Sequence, residues 1–138
     1  MVQKEVAERI CARAGDMSLL AVSVQYYGEP KIVDIVTKGN FWPEPGVDSA
    51  ILQVKSLKVH KVKSLETEMF FKVVKAGFAS KRKQAWKNVA AGLKLPAEKV
   101  KAVILAVAGN EKVRAEELSV ENWVEIVEKL DSKTQKFT

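Results

Sequence analysis

At 138 residues, with 47% apolar and 29% charged side chains, the chain has the composition of one ordinary soluble domain or two small ones, which argues against long disorder. No apolar run approaches the ~20 residues that span a bilayer, and Glu5 and Glu8 stand where a signal or transit peptide avoids acids, so no membrane contact and a cytoplasmic location are expected. A single Cys11 and a single His60 exclude an internal disulfide and a zinc site, and the net charge of +6 asks for an anionic partner.

Lys4 to Cys11 reads as a helix with Val6 and Ile10 on one face, broken by Gly15-Asp16. Ser18 is placed to cap Leu19–Tyr27, whose apolar residues fit a buried helix or a strand equally well. Gly28-Glu29-Pro30 ends that segment, and the β-branched run Lys31–Val36 predicts a strand. Phe41-Trp42-Pro43-Glu44-Pro45-Gly46-Val47-Asp48 follows. Its two prolines fix φ, push Trp42 and Glu44 towards extended backbone and withhold two hydrogen-bond donors. It is a stiff loop, which either presents its aromatics to a flat ligand or plugs the core with them. Asp48-Ser49 suits a local turn bond before the next strand, about Ala50 to Leu57.

Beyond Lys58 the pattern turns helical. Lys58 to Ser64 reads as a linker, with a boundary near residue 62. Phe70, Val73, Val74, Gly77 and Phe78 define one helix, and Trp86, Val89, Ala90 and Leu93 a second. A third starts at Pro96, buries Val100, Val103, Ile104 and Val107, and closes at Gly109-Asn110 with a left-handed cap. A fourth starts at Ser119, with Leu118 and Trp123 forming a hydrophobic staple and Ile126, Val127 and Leu130 continuing the face. Residues 131–138 are polar and expected to fray. The predicted architecture is an α/β segment of two or three strands with helices, residues 1–61, followed by a small all-α bundle, residues 62–138.

The charge is concentrated. Residues 1–60 are neutral and residues 95–138 carry −1, whereas residues 61–94 hold nine basic against two acidic side chains, a net +7. That is the footprint of a nucleic-acid partner. The densest part is Lys81-Arg82-Lys83, with Lys87 beyond and Lys72 and Lys75 one turn apart before it. If Ser80 caps the second helix, the three cations stand in its first turn and oppose its dipole by roughly 0.3–1 kcal/mol each, which a bound phosphate would relieve. Otherwise they end the preceding helix, where the dipole favours them. No nucleophile elbow, Gly-rich phosphate loop or metal-ligand spacing is present, so no catalytic site is complete in these residues and no metal is expected.

Met1–Arg9, Ser23-Val24-Gln25-Tyr26-Tyr27, Phe41-x-Pro43-x-Pro45-x-Val47-Asp48-Ser49-Ala50 and Phe78-x-x-x-Arg82-Lys83 occur in an order and spacing that resembles the C-terminal half of the ribosomal RNA adenine dimethyltransferases. That family includes the bacterial KsgA/RsmA enzymes, their eukaryotic counterparts and, more distantly, the Erm resistance methylases. The resemblance runs from Met1 to about Leu130. It implies that residues 1–61 are the last part of a Rossmann-like methyltransferase domain and residues 62–138 a helical RNA-binding domain. It further implies transfer of methyl groups from S-adenosylmethionine to adenine amines near the 3′ end of small-subunit rRNA, with the target base out of its stack. Phe41, with Pro43 and Pro45, then matches the wall of the target-base pocket, and Lys72, Lys75, Lys81, Arg82, Lys83 and Lys87 the RNA-binding surface. Trp42, at a variable position of the motif, is expected to be a packing residue. The family's cofactor loop, ribose-binding acid and Asn-Leu-Pro-Tyr-type motif precede the position matched by Met1, so this truncated chain alone is expected to bind no cofactor. Gly46 stands where the family usually has Lys, and Lys81 and Lys87 where Arg is commoner, which keeps charge but loses bidentate geometry. Exposed strand edges predict self-association. The alternatives are a free-standing, non-catalytic RNA-binding or ribosome-associated module and, more weakly, a transcription-associated relative of the family.

Overall fold

A computed structural model describes residues 1–40, 42–43, 46–56 and 64–134, the side chains of residues 56, 64–66 and 131–134 excepted. The expected linker therefore lies almost entirely outside the described residues. Among those residues the elements are β1 (Val2–Gln3), α1 (Lys4–Ile10), α2 (Leu19–Tyr27), β2 (Gly28–Val36), β3 (Ser49–Ser56), α3 (Ser64–Gly77), α4 (Ala85–Leu93), α5 (Ala97–Ala108) and α6 (Val120–Thr134). This is a small α/β fold.

The sheet has three strands in the order β1-β3-β2, both pairs antiparallel. β2 starts three residues before the sequence suggests, so Gly28-Glu29-Pro30 opens the strand. Pro30 is tolerated because, among the described residues, β2 pairs on one side only, with β3, and an edge strand accommodates a residue that lacks a donor. Gly28 is required by proximity: a Cβ there would stand 2.6 Å from Val54 Cγ1 and 2.7 Å from the Lys55 carbonyl oxygen. The pairing slips between Ile32 and Asp34, a bulge at Val33.

Leu19–Tyr27 resolves as helix. Ser18 Oγ accepts the Ala21 N–H at 3.1 Å, which caps the first turn, and Ala21, Val22 and Tyr26 are buried. Gln25 Nε2 donates to the Ile10 and Ala12 carbonyls at 2.9 and 2.8 Å and so satisfies the orphan acceptors at the end of α1. Tyr26 stacks on Phe70 of α3 with ring centroids 4.0 Å apart and meets Phe71 edge-on.

The core is continuous from α2 to α6. Met17, Ala21, Val22 and Tyr26 share one cluster with Phe70, Val73 and Val74 of α3, Val89 of α4, Val103 and Ile104 of α5 and Trp123, Ile126 and Leu130 of α6. The end signals of the last two helices hold as read. Gly109 takes φ 75° after α5. Ser119 and Asn122 cap α6 reciprocally, Ser119 Oγ accepting the Asn122 N–H and Asn122 Oδ1 accepting the Ser119 N–H. Leu118 and Trp123 are both fully buried on either side of that cap.

Candidate nucleic-acid interface

The loop between β2 and β3 is fastened at its base by Asp48. Its carboxylate accepts the Lys38 N–H and its carbonyl accepts the Lys4 N–H, both at 2.9 Å, so the loop ends are tied to each other and to the start of α1. Asn40 Nδ2 donates to Thr37 Oγ1 at 2.7 Å and tightens the first corner. Phe41 and Pro45, two of the three residues expected in a base pocket, lie outside the described residues. Pro43 follows a cis peptide from Trp42. Trp42 is 96% exposed, which corrects its reading as a packing residue. Among the described residues of the loop, the hydrogen bonds that hold it lie at its base.

The basic cluster lies between α3 and α4, and in neither of the helical settings considered from sequence. α3 ends at Gly77, and the N-cap of α4 is Gln84, so Lys81, Arg82 and Lys83 all precede the helix. Ser80 instead begins a turn in which its carbonyl accepts the Lys83 N–H at 3.3 Å. The start of α4 is displaced to Ala85 because the Ala85 N–H is taken by the Val113 carbonyl at 2.8 Å, a contact no local sequence rule supplies. The expected opposition between these cations and a helix dipole is therefore absent. Asn88 holds the turn from below: it is buried and donates from Nδ2 to the Gly77 and Ser80 carbonyls, both at 2.9 Å. The three cations are thus exposed on a pinned turn.

The other predicted residues divide between two faces. Lys87 stands 5.5 Å from the Trp86 ring centroid, with Lys101 at 5.2 Å, and Trp86 Nε1 donates to Gln84 Oε1 at 2.7 Å. Lys72, Lys75 and Lys81 line a groove of about 1060 Å³ between the ends of α3 and α4 and the start of α2. Arg9 of α1 and Arg114, from the loop before α6, line it too. Neither shows in the charge distribution along the chain, because each stands in a stretch whose charges cancel or nearly so. The groove wall is strapped together by the Glu116 carbonyl, which accepts the Gly15 and Met17 N–H groups at 2.9 and 3.0 Å.

Titratable chemistry is sparse. Burial pushes the Cys11 thiol above its ordinary value, against a smaller lowering by a hydrogen bond from the Ile32 backbone. Among the described residues no three His, Cys, Asp or Glu side chains gather as a metal site, and no helix is long and apolar enough to cross a membrane.

The fold is an α/β arrangement of the kind found in RNA methyltransferases. It superimposes on a dimethyladenosine transferase from Plasmodium falciparum with a TM-score of 0.77 at 21% identity, over 95% of this chain and 55% of that one. The 23S rRNA methyltransferase ErmE gives a TM-score of 0.68 at 26% identity, over 94% and 52%. The profile of the family described as ribosomal RNA adenine dimethylase matches residues 1–132, and the chain belongs to that family. A ribosomal RNA small subunit methyltransferase A from Dehalococcoides mccartyi is 41% identical over 123 residues, 89% of this chain and 42% of that protein. Its counterpart in Fusobacterium nucleatum is 37% identical over 129 residues, 92% and 48%. The chain thus spans a little under half the length of these relatives.

Proposed function

We propose that this chain is the rRNA-binding portion of an S-adenosylmethionine-dependent adenine dimethyltransferase acting on small-subunit rRNA in the cytoplasm. The observation that carries the reading is the exposed turn Lys81-Arg82-Lys83, held by the buried Asn88, within a chain of this family. In this proposal labour divides near residue 61. The α/β part supplies one wall of the target-base pocket through Phe41, Pro43 and Pro45, on a loop that Asp48 fastens. The helices α3 to α6, as a small all-α unit whose core α2 completes, supply the RNA-binding face through Lys72, Lys75, Lys81, Arg82, Lys83 and Lys87. A base presented there has to leave its stack, and a stiff loop is the economical way to meet it. The outer edges of β1 and β2 offer unpaired backbone through which copies of the chain associate.

Replacing Lys81, Arg82 and Lys83 together with alanine should weaken rRNA binding about 10–100-fold near 0.1 M salt and flatten the slope of log affinity against log salt by about 2. Fluorescence anisotropy across a salt series reads both. An unchanged slope would move the interface elsewhere.

The described residues do not fit S-adenosylmethionine. A nucleotide-type cofactor in a doubly wound sheet sits at the carboxyl ends of parallel strands beside a Gly-rich turn, whereas every strand pair here is antiparallel and Gly28 is packed against Val54 and Lys55. The chain by itself is accordingly expected to give no heat on titration with S-adenosylmethionine and no methylation; micromolar binding would sink that expectation. The exposed basic turn serves a second reading equally well, a free-standing RNA-binding or ribosome-associated module. Methylation by a longer protein containing these residues decides between the two.

A further inference from the structure

We propose that the groove between the start of α2 and the ends of α3 and α4 seats an unpaired RNA strand, with Arg9 and Arg114 as additional phosphate contacts. The proposal rests on the RNA-binding reading above and deepens it. Five cations surround the groove: Arg9, Lys72, Lys75, Lys81 and Arg114. Among the described residues none of them is paired with a carboxylate, although Glu5 and Glu116 also line it. Arg9, Lys72, Lys75, Lys81 and Arg114 are all exposed, so their charge is free to meet an anion.

Most of the groove lining between these cations is apolar. Leu19 and Leu20, at 37% and 38% exposure, lie open on the first turn of α2, and Phe78 and Leu93 line the groove with them. That combination selects among nucleic acids. A duplex presents phosphates and sugars and keeps its base faces stacked inside, so an apolar surface gains nothing from it. An unpaired strand offers base faces to bury and phosphates to neutralise along the same track. Position gives the same answer. Glu5 lines the groove one residue after Lys4, whose N–H holds the Asp48 carbonyl at the foot of the Phe41 loop. Ser80 and Lys81, the start of the pinned basic turn, line the same groove. A strand lying in it therefore runs between the loop proposed to meet the target base and the turn proposed to hold the RNA.

The test uses the full 138-residue chain, a short unstructured RNA oligonucleotide, and the same oligonucleotide annealed to its complement. Arg9→Gln combined with Arg114→Gln should lower affinity for the single strand about tenfold, make its salt slope shallower by about 1, and leave duplex affinity within a factor of about 2. Leu20→Ser, which changes no charge, should also weaken the single strand and spare the duplex, each variant being checked for an unaltered melting temperature. Equal losses for both RNAs, or no loss in either variant, would overturn the groove assignment. So would displacement of the single strand by an acidic peptide at the same potency, or self-association that the groove variants abolish. If these variants do nothing while the Lys81-Arg82-Lys83 variant still loses binding, only the groove fails. If the unaltered chain binds neither RNA, the RNA-binding reading falls and the groove with it.

Discussion

Exchange of Asn88 for leucine should destabilise the protein by roughly 1–3 kcal/mol, the cost of leaving the buried Gly77 carbonyl without a donor, while the part-buried Ser80 carbonyl keeps the Lys83 N–H. Leucine keeps asparagine's branch point and its number of side-chain heavy atoms but is bulkier, so some overpacking adds to the lost hydrogen bonds. Asn88 is 6% exposed, and its Nδ2 donates at 2.9 Å to both Gly77, the last residue of α3, and Ser80, the first residue of the basic turn. Gly77 is itself buried, so water does not readily replace the lost donor at its carbonyl. A melting temperature lower by roughly 3–9 °C is expected for a chain of this size. The functional consequence follows from the same two bonds. With the turn loosened, Lys81, Arg82 and Lys83 lose their fixed spacing, and ordering them on RNA costs additional conformational entropy. Affinity for rRNA should therefore fall at temperatures where the variant is still folded. A variant that melts like the parent would show that the turn holds itself.

The second large effect is at Trp123. Its ring is fully buried, follows the Ser119 cap of α6, and lies 5.9 Å from the Phe78 ring. Trp123→Ala should cost about 3–5 kcal/mol, since the lost apolar contacts and the cavity add. Trp123→Phe should cost much less, because the indole N–H has no hydrogen-bond partner among the described residues and its removal relieves a buried unsatisfied donor. The ring also explains Gly77. A Cβ at that position would run into Trp123 Cη2, so Gly77→Ala should overpack the core at a cost of about 1–3 kcal/mol. The two positions must then couple. In a Trp123→Leu background the methyl added by Gly77→Ala meets less bulk, and the double-mutant cycle should show about 1–2 kcal/mol of interaction in urea denaturation. Simple additivity would mean that Gly77 is needed for backbone reasons and not for the ring.

Local signals were legible where the physics is local. Ser18, Gly109 and the Ser119–Leu118–Trp123 start of α6 act within one turn of the chain, and each appears where the sequence places it. Leu19–Tyr27 shows the boundary of such reasoning: its pattern suits helix or strand, and the Ser18 cap together with packing of Tyr26 on Phe70, 44 positions later in the chain, favours helix. Pro30 reads as a terminator, but its place on an edge strand removes the objection to it. Trp42 reads as a packing residue from its variable position in the motif, and no pattern in the chain near it reveals that its ring is exposed.

The sequence by itself determined the Ser18, Gly109 and Ser119 helix ends, the main apolar faces, the concentration of positive charge in residues 61–94 and the motifs by which the family is recognised, because these depend on neighbours within a few residues or on composition. The tertiary structure alone decided how the cations are displayed. The Ala85–Val113 and Asn88–Ser80 hydrogen bonds take Lys81, Arg82 and Lys83 out of the helix and into a held turn. Folding also brings Arg9 and Arg114, 105 positions apart in the numbering, to one groove. Neither outcome is written in any local pattern, since each depends on which distant carbonyl or side chain arrives first at a shared place.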